Sequence, residues 1–401
     1  MAVGLELRAR GHHVTIGISE FYRAKVEAEG LSFHPVRPDI TLDNAEEKMG
    51  YIFDRKRGSE RILRFLAETA RESYQDILPA AAQADVVVTH LVSFGGVLAA
   101  EKLGKPWISA ILAPSSYVSA YDPSAPAQAP WIPKLRIFGV GFMRWFWNVG
   151  KRQVLKWVQP LVELRRELGL RSRGNPVFEG ATSPTLALAL FSSKMAEPQP
   201  DWPPRSVVTG FPFYDRDLGC HELAPELERF LADGPAPVVF TLGSSAVGVA
   251  GDFYMQSLTA VERIGCRAVL LTGRLPQALP KVLPPDVIAV EYAPHSTVFP
   301  RAAVNVHQGG IGTTAQAMRA SRPMLVVPFA HDQFDNGLRV ARRGAGLVLP
   351  RERYNAARAE GALRRLLEDS AFAAAARAIG ENVRSENGAA RAADEIERVL
   401  G

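Results

Sequence analysis

The chain has 401 residues, 47% hydrophobic and 22% charged, which excludes a disordered or fibrous protein. Two cysteines, Cys220 and Cys266, exclude a disulfide framework and a four-thiolate zinc site. The net charge of +5 suits anionic partners such as sugar phosphates or a lipid surface. No zinc-finger or RNA-binding signature accompanies it, so nucleic acid is not an expected partner. No apolar run reaches the roughly 18 residues of a membrane helix. Glu6, Arg8 and Arg10 interrupt any opening signal peptide, so a cytoplasmic location is expected.

The first ten residues read as a short helix stopped by Gly11, followed by a strand from His13 to Ile18. An alternating strand–helix fold normally opens on a buried strand. The leading strand and its loop are therefore expected upstream of Met1, as a β-branched run and a short Gly-rich loop carrying His or Asp and a Pro. Glu60 to Leu78 predicts a helix with Pro79 just beyond its end. Asp85 to Thr89 is a β-branched buried strand. Phe94 to Leu103 is helical, Pro106 to Leu112 is a strand, and 121–135 is a proline-rich loop. Residues 137–169 read as helix, and 185–191 as a strand.

Prolines 198, 200, 203, 204 and 212 mark a linker. Strands then recur at Val238–Leu242, Ala268–Thr272, Val287–Glu291, Val304–His307 and Met324–Val327. Helices lie near 252–264, 312–320 and 333–343, and the last sixty residues are helical. The fold class is α/β, with two doubly wound Rossmann-like halves: residues 1–212 and 213–401, the final helices being candidates to pack back on the first half.

The chemistry concentrates at residues 304–316, VNVHQGGIGTTAQ. A strand ends at His307, a turn carries Gly309, Gly310 and Gly312, and a helix starts near Thr313. Glycines admit a close ligand, and free amides at a helix N-terminus bind anions. Thr313, Thr314 and the His307 ring add donors, a set that suits a diphosphate. Gln316 lies one turn on, within reach of a ribose hydroxyl. Asp332 and Gln333 follow a strand's C-terminal end, where ligands of α/β sheets bind, and can bond sugar hydroxyls. The carboxylate–histidine spacing there lacks a second ligand set for a metal. A tight turn with no ligand is the bland alternative for the glycines.

On these residues the chain resembles the nucleotide-sugar glycosyltransferases of the GT-B fold, above all the bacterial and sterol-type UDP-glycosyltransferases. The resemblance rests on HQGGIGTT at 307–314, PFAHDQ at 328–333, NGLRVARRGAG at 336–346, TLGSS at 241–245 and EYAPH at 291–295. Looser matches are GHHVTI at 11–16 and the strand ending in Thr89-His90. It implies an inverting hexosyltransferase with no cofactor, whose donor is a UDP-sugar, or else a dTDP-sugar. The acceptor would be small or lipophilic, bound by the first half, with the donor on the second. His307, Gly309, Gly310, Gly312, Thr313 and Thr314 would contact the diphosphate, with Ser244 and Ser245 near it. Gln316 stands where the family has a ribose-binding Glu, and Tyr292 where it often has a base-stacking Trp. Ala293 and His295 would lie in the base-and-ribose loop, and Asp332 and Gln333 would hold the sugar.

The family's general base belongs to the loop expected upstream of Met1. His90 is the remaining catalytic candidate, a core-edge histidine being the alternative. The aromatic, basic stretch 142–157 is a candidate for membrane contact or a greasy acceptor pocket, against a packed helix. Two rival functions stay open. A nicotinamide oxidoreductase would need GxGxxG spacing, which GGIGTT lacks. A non-catalytic sugar-nucleotide binder would share the donor motifs.

Overall fold

The computed structural model describes residues 1–39, 50–215, 223–274 and 279–401, apart from the side chains of Ser244 and Ser245. Cys220 lies outside these residues. The strands are β1 (Thr15–Ile18), β2 (Ser32–Pro35), β3 (Val87–His90), β4 (Trp107–Ile111), β5 (Leu186–Ala189), β6 (Ser206–Val208), β7 (Val238–Thr241), β8 (Ala268–Leu271), β9 (Val287–Val290), β10 (Val304–His307), β11 (Met324–Val326) and β12 (Gly346–Val348).

In the second half a parallel sheet runs in the order β12-β11-β10-β7-β8-β9. Its strands are short apolar runs, and β7, β8, β10 and β11 are buried at every residue. That pattern belongs to a parallel sheet covered on both faces by crossover helices. Counted from β7, this is the 3-2-1-4-5-6 order of doubly wound sheets. Its winding reverses between β7 and β10, where His307 lies opposite Thr241 on one side and Val326 on the other.

The first half holds a parallel pair, β1-β2, and a parallel sheet ordered β3-β4-β5-β6. Among the described residues, β1 and β3 each pair along one edge only. Helices Gly58–Glu68, Ala70–Gln83 and Phe94–Leu103 bury Ala67, Tyr74, Ala81, Phe94 and Leu98 against Leu161 and Leu164. The last helix, Gly388–Leu400, crosses back to this half. Its Ala392 and Ile396 pack with Ile108, Leu186 and Leu188, and Arg10 binds Asp394 at 2.6 Å and Glu397 at 2.8 Å.

Several elements differ from the sequence reading. The helix expected over 60–78 is two helices that meet at Thr69, whose hydroxyl bonds back to the Phe65 carbonyl. Such back-bonding bends a helix. Pro79 lies inside the second helix, because packing against Phe94–Leu103 outweighs the lost backbone bond. The helix expected over 137–169 breaks at Val158 (φ −116°) into Gly139–Trp157 and Gln159–Glu167. Pro160 cannot continue the first but is suited to the first turn of the second. The proline-rich linker contains β6, which pairs with β5. After Gly344 (φ +73°) the chain forms β12, on β11, which the helix-like pattern hid.

Ile396 is 1% exposed in the cluster that joins the last helix to the first half. Replacing it with Ala should cost about 2–5 kcal/mol, read from the denaturant midpoint. An unshifted midpoint would mean that the last helix is no part of the cooperative unit.

Candidate active site

The strand β10 leads through His307, Gln308, Gly309 and Gly310 into the helix Ile311–Arg319. Gly310 is its N-cap and no side chain caps it. The first intrahelical bond runs from Thr314 N–H to Gly310 O, so the amides of residues 311–313 have no helical partner. Gly309 has φ +88°, and a Cβ there would lie 2.6 Å from Val326 Cγ1 and 3.0 Å from Gln333 O. Only glycine fits both the angle and the space. At Gly312 a Cβ would meet nothing within 4 Å, so its side faces open space.

That space is a cleft of about 470 Å³. Gly243, Tyr292, His295, Gly312, Thr313 and Gln316 line it from the second half, facing Leu112 and Leu190 of the first and the segment Phe211–Asp215. Tyr292 is exposed there, and His295 stacks on Phe299 at 4.4 Å between ring centres. Ser244 and Ser245 belong to the one-turn helix Gly243–Ala246 that follows β7. The structure turns Ala293 inward, where its side chain joins the core.

His307 is fully buried beside the cleft. Its Nδ1 accepts from Gly309 N–H at 3.1 Å, so the ring proton sits on Nε2. Burial, with His295 nearby, holds its pKa down to about 3. Nε2 has no partner among the described residues, nor do the buried Gln308 Oε1, Thr314 Oγ1 and Asn336 Oδ1. Buried polar atoms are normally bonded. Four orphans around one turn mark a place built for a partner that carries polar groups of its own.

Gln316 lies on the cleft wall, but both ends of its amide are engaged. Nε2 donates to Asp215 at 2.9 Å, and Oε1 accepts from Arg319 at 2.7 Å. Arg319 also grips Asp215 with two bonds of 2.8 Å. A carboxylate thus stands beside Gln316, supplied by Asp215 from far earlier in the chain. No local signal marks it.

Asp332 and Gln333 sit at the start of the helix Gln333–Arg342. Gln333 is buried, and its Oε1 accepts from the amides of Phe329 and Ala330 at 2.8 and 3.1 Å. Its carbonyl therefore braces the turn. Asp332 Oδ2 accepts from Asn336 Nδ2 at 2.8 Å, and the same amide donates to Gly309 O at 2.9 Å. Burial pushes the Asp332 pKa up to about 6. Asn336 carries no titratable signal and was legible only as part of a motif.

His90 ends β3 and lies outside the cleft lining. Burial lowers its pKa. Its Nδ1 accepts a long bond, 3.4 Å, from Val92 N–H. As placed, its Nδ1 lone pair faces the Val92 amide.

Two Rossmann-like halves enclosing a cleft at the C-terminal ends of their strands define a GT-B α/β protein. Solved structures of this kind superimpose over the whole chain. The spinosyn forosaminyltransferase SpnP gives a TM-score of 0.70 at 20% identity, covering 100% of this chain and 94% of that one. The glycosyltransferase VinC, solved in complex with dTDP, gives 0.70 at 23%, covering 99% and 94%. In sequence, the chain is 31% identical over 412 residues to the O-mycaminosyltylonolide 6-deoxyallosyltransferase of Streptomyces fradiae, covering 99% of this chain and 93% of that relative. Residues 260–399 match the family described as erythromycin biosynthesis protein CIII-like, C-terminal domain. The chain belongs to this family and is a glycosyltransferase. The sterol 3-beta-glucosyltransferase of Sclerotinia sclerotiorum is 26% identical over 98% of this chain, which spans 27% of that longer protein.

The two buried titrating groups predict opposite pH effects. Unfolded histidine takes a proton near pH 6.5, but folded His307 does so only near 3. Stability is therefore lost as pH falls through that window. Folded Asp332 keeps its proton up to about pH 6, whereas the unfolded carboxyl loses it near 3.8. Stability is lost there as pH rises. Asp332→Asn should thus gain on the parent by up to about 1.4 kcal/mol per pH unit between roughly 4 and 6, in denaturant titrations at each pH. A constant difference would show that the carboxyl does not titrate in that window. Gln316→Glu should set two carboxylates against Arg319 and cost about 1 kcal/mol. Adding Asp215→Asn should restore the melting midpoint, and a failure to restore it would dissolve the proposed charge exchange.

Proposed function

We propose that this glycosyltransferase moves a hexose from a nucleoside-diphosphate sugar, preferentially a UDP-sugar, to a hydroxyl of a small or lipophilic acceptor, with inversion. The observation that carries the donor site is the cluster of orphaned polar atoms, His307 Nε2 among them, around an uncapped helix N-terminus. A diphosphate would supply oxygens to the free amides of 311–313 and, after a small opening of the turn, to His307 and Thr314. Ser244 and Ser245 would approach it from the β7 side. The base would lie against Tyr292, with the loop of Ala293 and His295 beside it. The ribose would face Gln316 and Asp215, whose polar atoms favour a nucleoside rich in hydroxyls and so UDP over dTDP. Asp332 would accept from the sugar's hydroxyls, with Gln333 shaping that turn. In this reading residues 213–401 hold the donor and residues 1–212 the acceptor.

Transfer would pass through an oxocarbenium-like state as the acceptor hydroxyl attacks the anomeric carbon opposite the leaving diphosphate and yields its proton to a general base. Charge grows on that diphosphate as the bond breaks. Donors already fixed around it stabilise the transition state without reorganising. His307, neutral with its proton on Nε2, gives one such hydrogen bond. The scheme needs no cofactor and meets the diphosphate's charge without a metal.

His307→Ala tests the donor site. A hydrogen bond to a charged group contributes about 1.5–3 kcal/mol, so the Kd for UDP should rise roughly ten- to a hundred-fold in calorimetric titration. The same variant's melt should show that it is folded. An unchanged Kd in a folded variant would remove His307 from the site. A parallel titration with dTDP should give weaker binding, and equal affinities would sink the UDP preference.

A further inference from the structure

From residue 123 to residue 162 the chain contains no Asp or Glu, yet it carries Lys134, Arg136, Arg144, Lys151, Arg152 and Lys156. This segment folds as a 3-10 turn, Ile132–Phe138, running into the helix Gly139–Trp157. The inner side of the helix is fixed. Met143 packs with Ala120 and Ile132, and Trp147 Nε1 donates to Ser119 O at 3.0 Å.

The outer side is apolar and, among the described residues, uncovered. Ile137 is 82% exposed, Phe138 62% and Trp145 60%. Phe138, Phe142 and Trp145 form a continuous ladder, with ring centres 5.3 and 5.6 Å apart. Val149 extends it by one more turn, and Trp131 is also exposed. Large apolar side chains gathered on one face mark an interaction surface. Lys134, Arg144, Arg152 and Lys156 are exposed along the same segment.

We propose that this face docks on the surface of a bilayer containing anionic lipid. Two features select that occupant. The aromatic rings suit the boundary between headgroups and acyl chains, and basic residues with no acid among them suit a negative surface. No described helix is long and apolar enough to cross a membrane, so the contact lies in the interface. The face is also close to the chemistry. Ser119, beneath Trp147, belongs to the loop whose Ala125 amide donates to Asp335 at 2.8 Å. Asp335 is on the helix that starts beside Asp332. A lipophilic acceptor dissolved in the bilayer would thus enter next to the cleft. The docking itself needs no substrate and stands apart from the donor reading.

Flotation of the purified chain tests it, with vesicles of phosphatidylcholine alone and of phosphatidylcholine mixed with phosphatidylglycerol. The chain should float with the anionic vesicles and largely remain behind with the neutral ones. Phe138→Ser/Trp145→Ser should abolish flotation. Lys134→Glu/Arg152→Glu leaves the apolar face intact and should weaken partitioning by at least roughly twenty-five-fold, about five-fold per basic residue removed. Lys281→Glu, an exposed charge outside the segment, should change it little. Melts and light scattering accompany each variant. The proposal is overturned if the parent chain does not float with anionic vesicles, or if the charge variant floats as well as the parent. It is equally overturned if light scattering shows a dimer that the double serine variant dissolves while neither floats, since the face would then join two copies.

Discussion

One helix holds the cleft together by burying polar side chains. Gln333, Asp335, Asn336 and Arg339, all on Gln333–Arg342, are nearly inaccessible. Each must find partners or impose a desolvation cost. Gln333 fastens the turn after β11, and Asn336 joins that turn to the one after β10. Asp335 and Arg339 pair at 2.7 Å, and Asp335 also accepts from Ala125 across the cleft. Arg339 reaches Asp122 and the Met195 carbonyl, also in the first half. Removing one member of such a buried pair leaves an uncompensated charge. The same helix therefore sets the shape of the glycine turn and the approach of the two halves.

The site is consequently stiff where it is satisfied and receptive where it is not. The glycine turn is clamped by backbone and amide bonds, yet it leaves His307 Nε2, Gln308 Oε1 and Thr314 Oγ1 without partners. The His307 ring N–H and the Thr314 hydroxyl are preorganised donors, which cost little to reorganise when charge develops beside them. Burial keeps the imidazole neutral and Asp332 partly protonated near neutrality.

The exposed aromatic face on Gly139–Trp157 has the opposite logic. Its inner side is paid for by packing against the loop around Ser119 and Ala120, and its outer side leaves apolar area in water. The turn at Val158 and Pro160 ends this helix before the acidic residues begin at Glu163. Length, charge and exposure are thereby confined to one surface.

The sequence by itself determined the α/β alternation, the place of the glycine turn and the likeness to glycosyltransferases. Those features are local: β-branched runs of four or five residues, glycines required by backbone angle, and motif spacing within fifteen residues. The cooperation of Asp215 with Gln316 and Arg319 came only from tertiary structure, because a hundred residues separate the partners. So did the burial of His307; the return of Gly388–Leu400 to the first sheet was a candidate in the sequence, and its packing partners came from the structure. The strands β6 and β12 were hidden as well. Three residues carry too little periodicity to show, and what stabilises them is the ladder supplied by a neighbouring strand.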